Sequence, residues 1–277
     1  MTKEDIFKID VKKILQDKAP EKANKIPGFV TSILSKILCV KGLNDFLTKN
    51  GDAQGVDMME NAVKYFDVKL KILNSDNIPS TEERLIFVSN HPLGGLDGIC
   101  LSMFIGKRFK HKIKYLVNDL LFFIKPLQNI FVPINKHGAQ AKQGALAINE
   151  AFSSDNQIIT FPAGLCSRKI SGKIIDSEWK KTFVLKAIEY KRNVVPVHFE
   201  ARNSNFFYML ANFRTRMGIK INIEMLLLPY EMFKSKGKLL TIQFGEPIPW
   251  EFFDNSKTAQ QWADWTKELV YDMGKQQ

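Results

Sequence analysis

The stretch SNHPLGGLDG, residues 89–98, sets an imidazole, His91, and a carboxylate, Asp97, at the two ends of a loop containing Gly94 and Gly95, with Gly98 just beyond. Glycine enters backbone conformations closed to other residues, so such a loop can fold back and bring the carboxylate to the ring. A histidine oriented by a carboxylate is a general base that titrates near neutral pH. Its natural task would be to take the proton of a hydroxyl as that oxygen attacks a carbonyl. The same residues also allow a plainer arrangement, in which Asp97 caps a following helix, the glycines make the turn, and His91 is a partly buried ring with a backbone partner. On this loop alone both arrangements stand.

The flanking residues say where the loop must sit. Leu85–Ser89 reads as a strand and DGICLSMFIG, 97–106, as a helix, so the pair lies on a strand-to-helix connection. Further strands are expected at 67–73, 84–89, 113–117, 129–134, 157–161, 194–199, 221–228 and 239–244, and helices at 138–153, 178–191 and 258–274. The alternation predicts an α/β fold with a mostly parallel central sheet covered by helices, whose ligands gather at the carboxyl ends of the strands. TAQQ, 258–261, can form a capping box for the last helix. Ahead of the sheet, 26–49 reads as an amphipathic helix or two short ones with Phe29, Ile33, Leu34, Ile37, Leu38 and Val40 on one face, and 55–66 as another helix. The expected organisation is therefore an N-terminal helical membrane-contact region, 1–66, and an α/β domain, 67–277.

Composition narrows the partners. A formal charge of +11 predicts attraction to something anionic: phosphate esters, nucleic acid or an anionic lipid surface. No zinc-finger spacing, RNP-like aromatic block or helix-turn-helix supports nucleic acid. Residues 115–134, the nearest approach to a spanning segment, are broken by Asp119, Lys125 and Pro126, and the first residues carry acids and lysines where a signal peptide would be apolar. Cys39, Cys100 and Cys166 lack ligand spacing and suit buried thiols in a reducing compartment. The four histidines show no paired spacing, so no metal is expected.

Four segments in order carry a resemblance. SNHPLGGLDG, NIFVPINKHG (129–138), FPAGLCSRK (161–169) and VVPVHF (194–199) resemble the successive motifs of the glycerolipid acyltransferase family, which includes the lysophosphatidic acid acyltransferases. Their order over roughly 84–200 is more specific than any one of them. The departures are informative. The family has four residues between His and Asp where five stand here, Pro92 to Leu96, with the extra one to be absorbed at Gly94–Gly95. The usual Glu of the third block is Ala163, its usual Arg is Cys166, and the Arg of the second block is Lys136, which meets a phosphate as a point charge only. The loop is most similar to the version in bacterial proteins labelled hemolysins, a branch some of whose members resemble the O-acyltransferases that finish ornithine or glycine lipids.

The resemblance implies transfer of a fatty acyl group, in membrane lipid biosynthesis, from acyl carrier protein or coenzyme A to a hydroxyl of a lyso-lipid, lysophosphatidate-like or an N-acyl amino-acid lipid. The thioester is a co-substrate, and no cofactor is implied. His91 would be the base and Asp97 its orienter, with direct attack by the acceptor and no acyl-enzyme. Lys136, Arg168 and Lys169 are candidates for an anionic group of acceptor or donor, and Gly164 for close backbone approach or an oxyanion N–H, each against an ordinary role as surface charge or turn glycine. Phe206, Phe207, Phe213 and Arg214, within 203–220, are expected to contact an anionic membrane surface. The place expected is the cytoplasmic face of the inner membrane, peripherally. The alternative is a non-catalytic lipid-binding protein on the same fold, which Ala163 and Cys166 would allow.

Overall fold

The computed structural model describes residues 8–18, 27–79, 82–118, 121, 124–134 and 139–275. Strand β2, Leu85–Ser89, is buried at every position, and its odd and even residues serve different cores. Leu85 and Phe87 face one apolar cluster, and Ile86 and Val88 the other. A strand covered on both faces reads as an uninterrupted apolar run for this reason. On the first face lie α3 (Val40–Lys49), α4 (Gly55–Tyr65) and α5 (Leu96–Arg108). The second face carries α6 (Ala139–Ser153), α7 (Thr182–Tyr190) and α10 (Ala259–Met273).

Among the described residues the central sheet has seven strands: β1 (Lys69–Leu73), β9 (Leu239–Phe244), β8 (Asn193–Glu200), β2, β5 (Gln157–Thr160), β3 (Ile113–Val117) and β4 (Phe131–Pro133), in that spatial order. The pairs β8–β2, β2–β5, β5–β3, β3–β4 and β1–β9 are parallel, and only β8–β9 is antiparallel. The predicted mostly parallel α/β architecture is therefore the observed one. The capping box forms as expected: the Thr258 hydroxyl accepts from the Gln261 N–H at 3.2 Å, and the Gln261 side chain accepts from the Thr258 N–H at 2.8 Å.

Of the two readings of 26–49, the pair of short helices is the observed one: α2 (Gly28–Ile37) and α3 are separated by Cys39 in the left-handed region at φ 50°. Two local features depart from expectation. Residues 221–228 are no strand: Ile223–Leu227 form a 3-10 turn that runs into α9 (Leu228–Lys234), with Pro229 in its first turn. A short apolar run does not distinguish strand from helix, and proline at a helix start is compatible with the second. An antiparallel hairpin of β6 (Arg168–Ile170) and β7 (Lys173–Ile175) follows β5, in a stretch where the sequence pattern marks no strand. Helix α8 (Asn205–Arg216) follows the end of β8. No helix among the described residues is long and apolar enough to cross a membrane.

Candidate active site

The parallel order β8–β2–β5 brings three of the four sequence blocks to one edge of the sheet. The carboxyl ends of β2, β5 and β8 lead into the 90–95 loop, the 161–167 segment and the 201–204 connection, respectively. The first loop is fastened at each step. Asn90 extends β2 by one rung with its side chain, donating Nδ2–H to the Phe199 carbonyl at 3.0 Å and accepting from the Phe199 N–H at 2.7 Å. His91 is held through both backbone groups: its N–H donates to the Asp176 carboxylate at 3.2–3.3 Å, and its carbonyl accepts from the Ser167 N–H at 2.8 Å. The Pro92 carbonyl accepts from the Asn203 amide at 3.2 Å. The chain then turns at Gly94, φ +73°, where a Cβ would lie 2.8 Å from Leu228 and 2.9 Å from Cys166. Both backbone conformation and space demand glycine there.

The turn returns Asp97 to the imidazole. His91 Nδ1 lies 3.0 Å from Asp97 Oδ2, with the carboxylate fully buried and 13% of the imidazole side chain exposed. The same carboxylate accepts from the N–H groups of Leu93 at 2.8 Å, Gly94 at 3.3 Å and Gly98 at 2.9 Å, in the first turn of α5. One carboxylate thus meets the imidazole and gathers three N–H groups around the start of α5, although the cap position itself is Gly95 rather than Asp97. A carboxylate surrounded by donors accepts only, so Nδ1 carries the proton and Nε2 the lone pair. The ring lies against Phe161 at the end of β5, with centroids 4.2 Å apart and planes 32° apart.

Burial alone would disfavour charge on His91, but the Asp97 carboxylate outweighs it and holds the imidazole pKa above its ordinary value; Asp176 acts in the same sense and Arg168 against it. Burial likewise opposes charge on Asp97, yet the His91 ring and the Leu93 and Gly98 N–H groups keep its pKa below the usual carboxylate value. Such a pair suits general-base work near neutral pH.

Asp176 was not anticipated from sequence. Buried behind the loop, it accepts from the Ser167 hydroxyl at 2.6 Å and the Trp179 indole N–H at 2.9 Å as well as from His91. Its own N–H donates to the Tyr271 hydroxyl at 2.7 Å, and its carbonyl accepts from Lys267 Nζ at 2.8 Å, so the terminal helix α10 anchors it. Burial pushes its pKa up despite these donors. The sequence signal was DSEW, 176–179, polar residues directly after a hairpin, which nothing local ties to residue 91.

The third block is rearranged. Ala163 and Cys166 are both buried, and burial raises the Cys166 thiol to about 11, which keeps it protonated. Arg168 folds back over Cys166, with Nη1 2.7 Å from its carbonyl and 3.0 Å from its sulfur, so a guanidinium returns to the neighbourhood that residue 166 occupies. Its Nη2 bonds the buried Glu224 at 2.8 Å, and the guanidinium lies over the Phe207 ring. The second oxygen of Glu224 meets Arg214 Nε at 2.8 Å, close enough for an ion pair though out of line for a hydrogen bond. Lys169 is exposed on the hairpin. Gly164 has φ +66° and spends its N–H on the Phe161 carbonyl at 2.9 Å, which makes it a turn glycine and removes it as an oxyanion donor. A Cβ at 164 would lie 3.2 Å from Lys180 Nζ, a cation that sequence reading missed. Lys136 falls outside the described residues.

Two membrane-contact expectations are also overturned. Phe207 is fully buried beneath Arg168, and Arg214 is occupied with Glu224, because α8 packs this face onto the hairpin; Phe206 and Phe213 point outward. Beside the loop a cleft of about 500 Å³ opens, lined among others by Leu93, Ile174, Glu200, Arg202 and Lys238.

A family profile described as Acyltransferase matches residues 13–272. The chain belongs to the acyltransferase family. This acyltransferase is 50% identical to the lyso-glycine lipid O-acyltransferase of Bacteroides thetaiotaomicron, over 99% of its own length and 100% of that protein's. A second lyso-glycine lipid O-acyltransferase, from Phocaeicola vulgatus, is 48% identical over 99% of this chain and 98% of its own. The solved structure of the 1-acyl-sn-glycerophosphate (LPA) acyltransferase PlsC from Thermotoga maritima superposes with a TM-score of 0.49 at 17% identity, over 93% of this chain and 83% of that one.

Proposed function

We propose that this acyltransferase transfers a fatty acyl group from a thioester of acyl carrier protein or coenzyme A to a hydroxyl of lyso-glycine lipid, at the cytoplasmic face of the inner membrane. The observation that carries the mechanism is the 3.0 Å contact between His91 Nδ1 and the buried Asp97, which leaves Nε2 as the proton acceptor. Nε2 takes the hydroxyl proton as the acceptor oxygen bonds to the thioester carbon. The carbon–sulfur bond then breaks, and the imidazolium returns the proton to the departing thiolate. Asp97 stabilises the positive charge that develops on the ring, and Asp176, which accepts from the His91 backbone N–H, acts in the same sense. The full-length similarity to two lyso-glycine lipid O-acyltransferases supports the acceptor.

The experiment is a mass-spectrometric transfer assay with purified protein, both thioester donors, and lyso-glycine lipid, N-acylated ornithine, lysophosphatidate and glycerol 3-phosphate as acceptors. The expected product is acylated glycine lipid, absent with His91→Ala and Asp97→Ala. Preferred acylation of another acceptor would overturn the assignment of acceptor, and undiminished turnover by His91→Ala would overturn the mechanism.

A further inference from the structure

Between β8 and β9 the chain makes an excursion, residues 201–238, that builds α8, the 3-10 turn and α9. Its surface is unusual in two independent ways. Phe206, Met209, Phe213 and Met217 follow one another along the outer face of α8, and Ile219 and Ile221 extend the patch; these six are between 40% and 73% exposed. The opposite face, Phe207, Tyr208 and Ala211, is buried. The core requirement of this helix is therefore already met by its inner face, and the outer stripe is apolar without an intramolecular reason.

The second peculiarity is charge. The only carboxylates in the excursion are Glu224 and Glu231, and both are buried. Glu224 serves Arg168 and Arg214, and Glu231 accepts from the Ser204 N–H and hydroxyl at the start of α8. Every exposed ionised side chain is a cation: Arg202, Arg216, Lys220, Lys234, Lys236 and Lys238. A protein partner with an apolar face would be matched by mixed charge at the rim, whereas an anionic bilayer is matched by apolar insertion with cations alone.

We propose that the outer face of 201–238 is the surface on which this protein docks to an anionic lipid bilayer, with the α8 stripe and Ile219–Ile221 entering the interface and the lysines and arginines meeting headgroups. The excursion touches the catalytic loop directly, since Leu228 fills the space beside Gly94 and Glu224 holds Arg168. Docking here would bring the His91 loop to the lipid surface, so that an acyl acceptor enters from the bilayer without crossing water. The inference deepens the acyl-transfer reading and rests on it for the acceptor alone.

The test measures cosedimentation with vesicles of phosphatidylglycerol and of phosphatidylcholine, beside turnover of detergent-dispersed acceptor. Phe206→Ser/Phe213→Ser/Ile221→Ser should lose at least about tenfold in vesicle affinity, from the apolar area withdrawn. Arg216→Gln/Lys220→Gln should lose the preference for phosphatidylglycerol by about fivefold per cation. Both variants should melt as the wild type does and keep turnover in detergent. Phe29→Ser/Ile33→Ser, on the exposed face of α2, is the competing surface. Wild-type binding by the triple variant, or loss of binding confined to the α2 variant, overturns the proposal. Vesicle binding is read without turnover, so failure of every acceptor would overturn the acyl-transfer reading and leave this measurement intact.

Discussion

Replacing Asp97 by Asn separates charge from shape at the position that orients His91. The carboxylate accepts from His91 and from the N–H groups of Leu93, Gly94 and Gly98, with no donor of its own. An asparagine has one accepting oxygen and one donating nitrogen. If its oxygen takes the place of Oδ2, its NH2 faces the Gly98 N–H, donor against donor, at a cost of about 1–3 kcal/mol for the buried mismatch. If it flips, the NH2 faces Nδ1, drives the proton to Nε2 and removes the base. Either way the negative charge that stabilises the imidazolium is gone. General-base contributions of about 10²–10⁴ are at stake, and the corresponding Asp→Asn change in the serine protease triad costs about 10⁴. We expect kcat/KM to fall by about 10²–10⁴. Because Asp97 holds the His91 pKa up, the residual activity should keep its acid limb at lower pH than the wild type. The assay is initial-rate acyl transfer across pH with a saturating thioester. Asp97→Asn retaining rates within about tenfold of wild type, with an unmoved acid limb, would refute the tautomer argument.

Three further outcomes follow from the same geometry. Asp176→Asn removes a charge that raises the His91 pKa and one acceptor of the clamp on its backbone; kcat/KM should fall by about 10–100-fold, with the acid limb of its pH profile displaced to lower pH, whereas a purely structural role would lower the amount of folded enzyme and leave the profile in place. Gly98→Ala places a Cβ 2.4 Å from the Tyr115 hydroxyl and should destabilise by about 1–3 kcal/mol in denaturant unfolding, with partial recovery on adding Tyr115→Phe; a neutral change would show that α5 shifts freely. Cys166, buried and held near 11, should resist alkylation at neutral pH in the folded enzyme and react only on unfolding, as measured by mass spectrometry with iodoacetamide; rapid labelling of native protein would contradict its place against Gly94 and Arg168.

Local pattern alone determined much of this protein. The buried run Leu85–Ser89, the helix period of 259–273 and the Thr258–Gln261 box depend on neighbours a few residues away, and each formed where its pattern placed it. So did the loop joining His91 to Asp97, because glycine's freedom and a six-residue separation are local facts. Tertiary structure decided the rest. Asp176 reaches His91 across 85 residues, and only the placement of β5, its hairpin and α10 beside β2 makes them neighbours. The aromatics of α8 satisfy an amphipathic pattern in either orientation, and only the packed structure places Phe207 inward, under the Arg168 that Glu224 holds, and Phe206 outward. Gly164 spends its N–H within a turn that no motif specifies, and 223–227 form a 3-10 turn in which the buried Glu224 meets two arginines brought from other elements. Periodicity fixes which residues share a face of their own element; which face meets the site depends on contacts far apart in the chain.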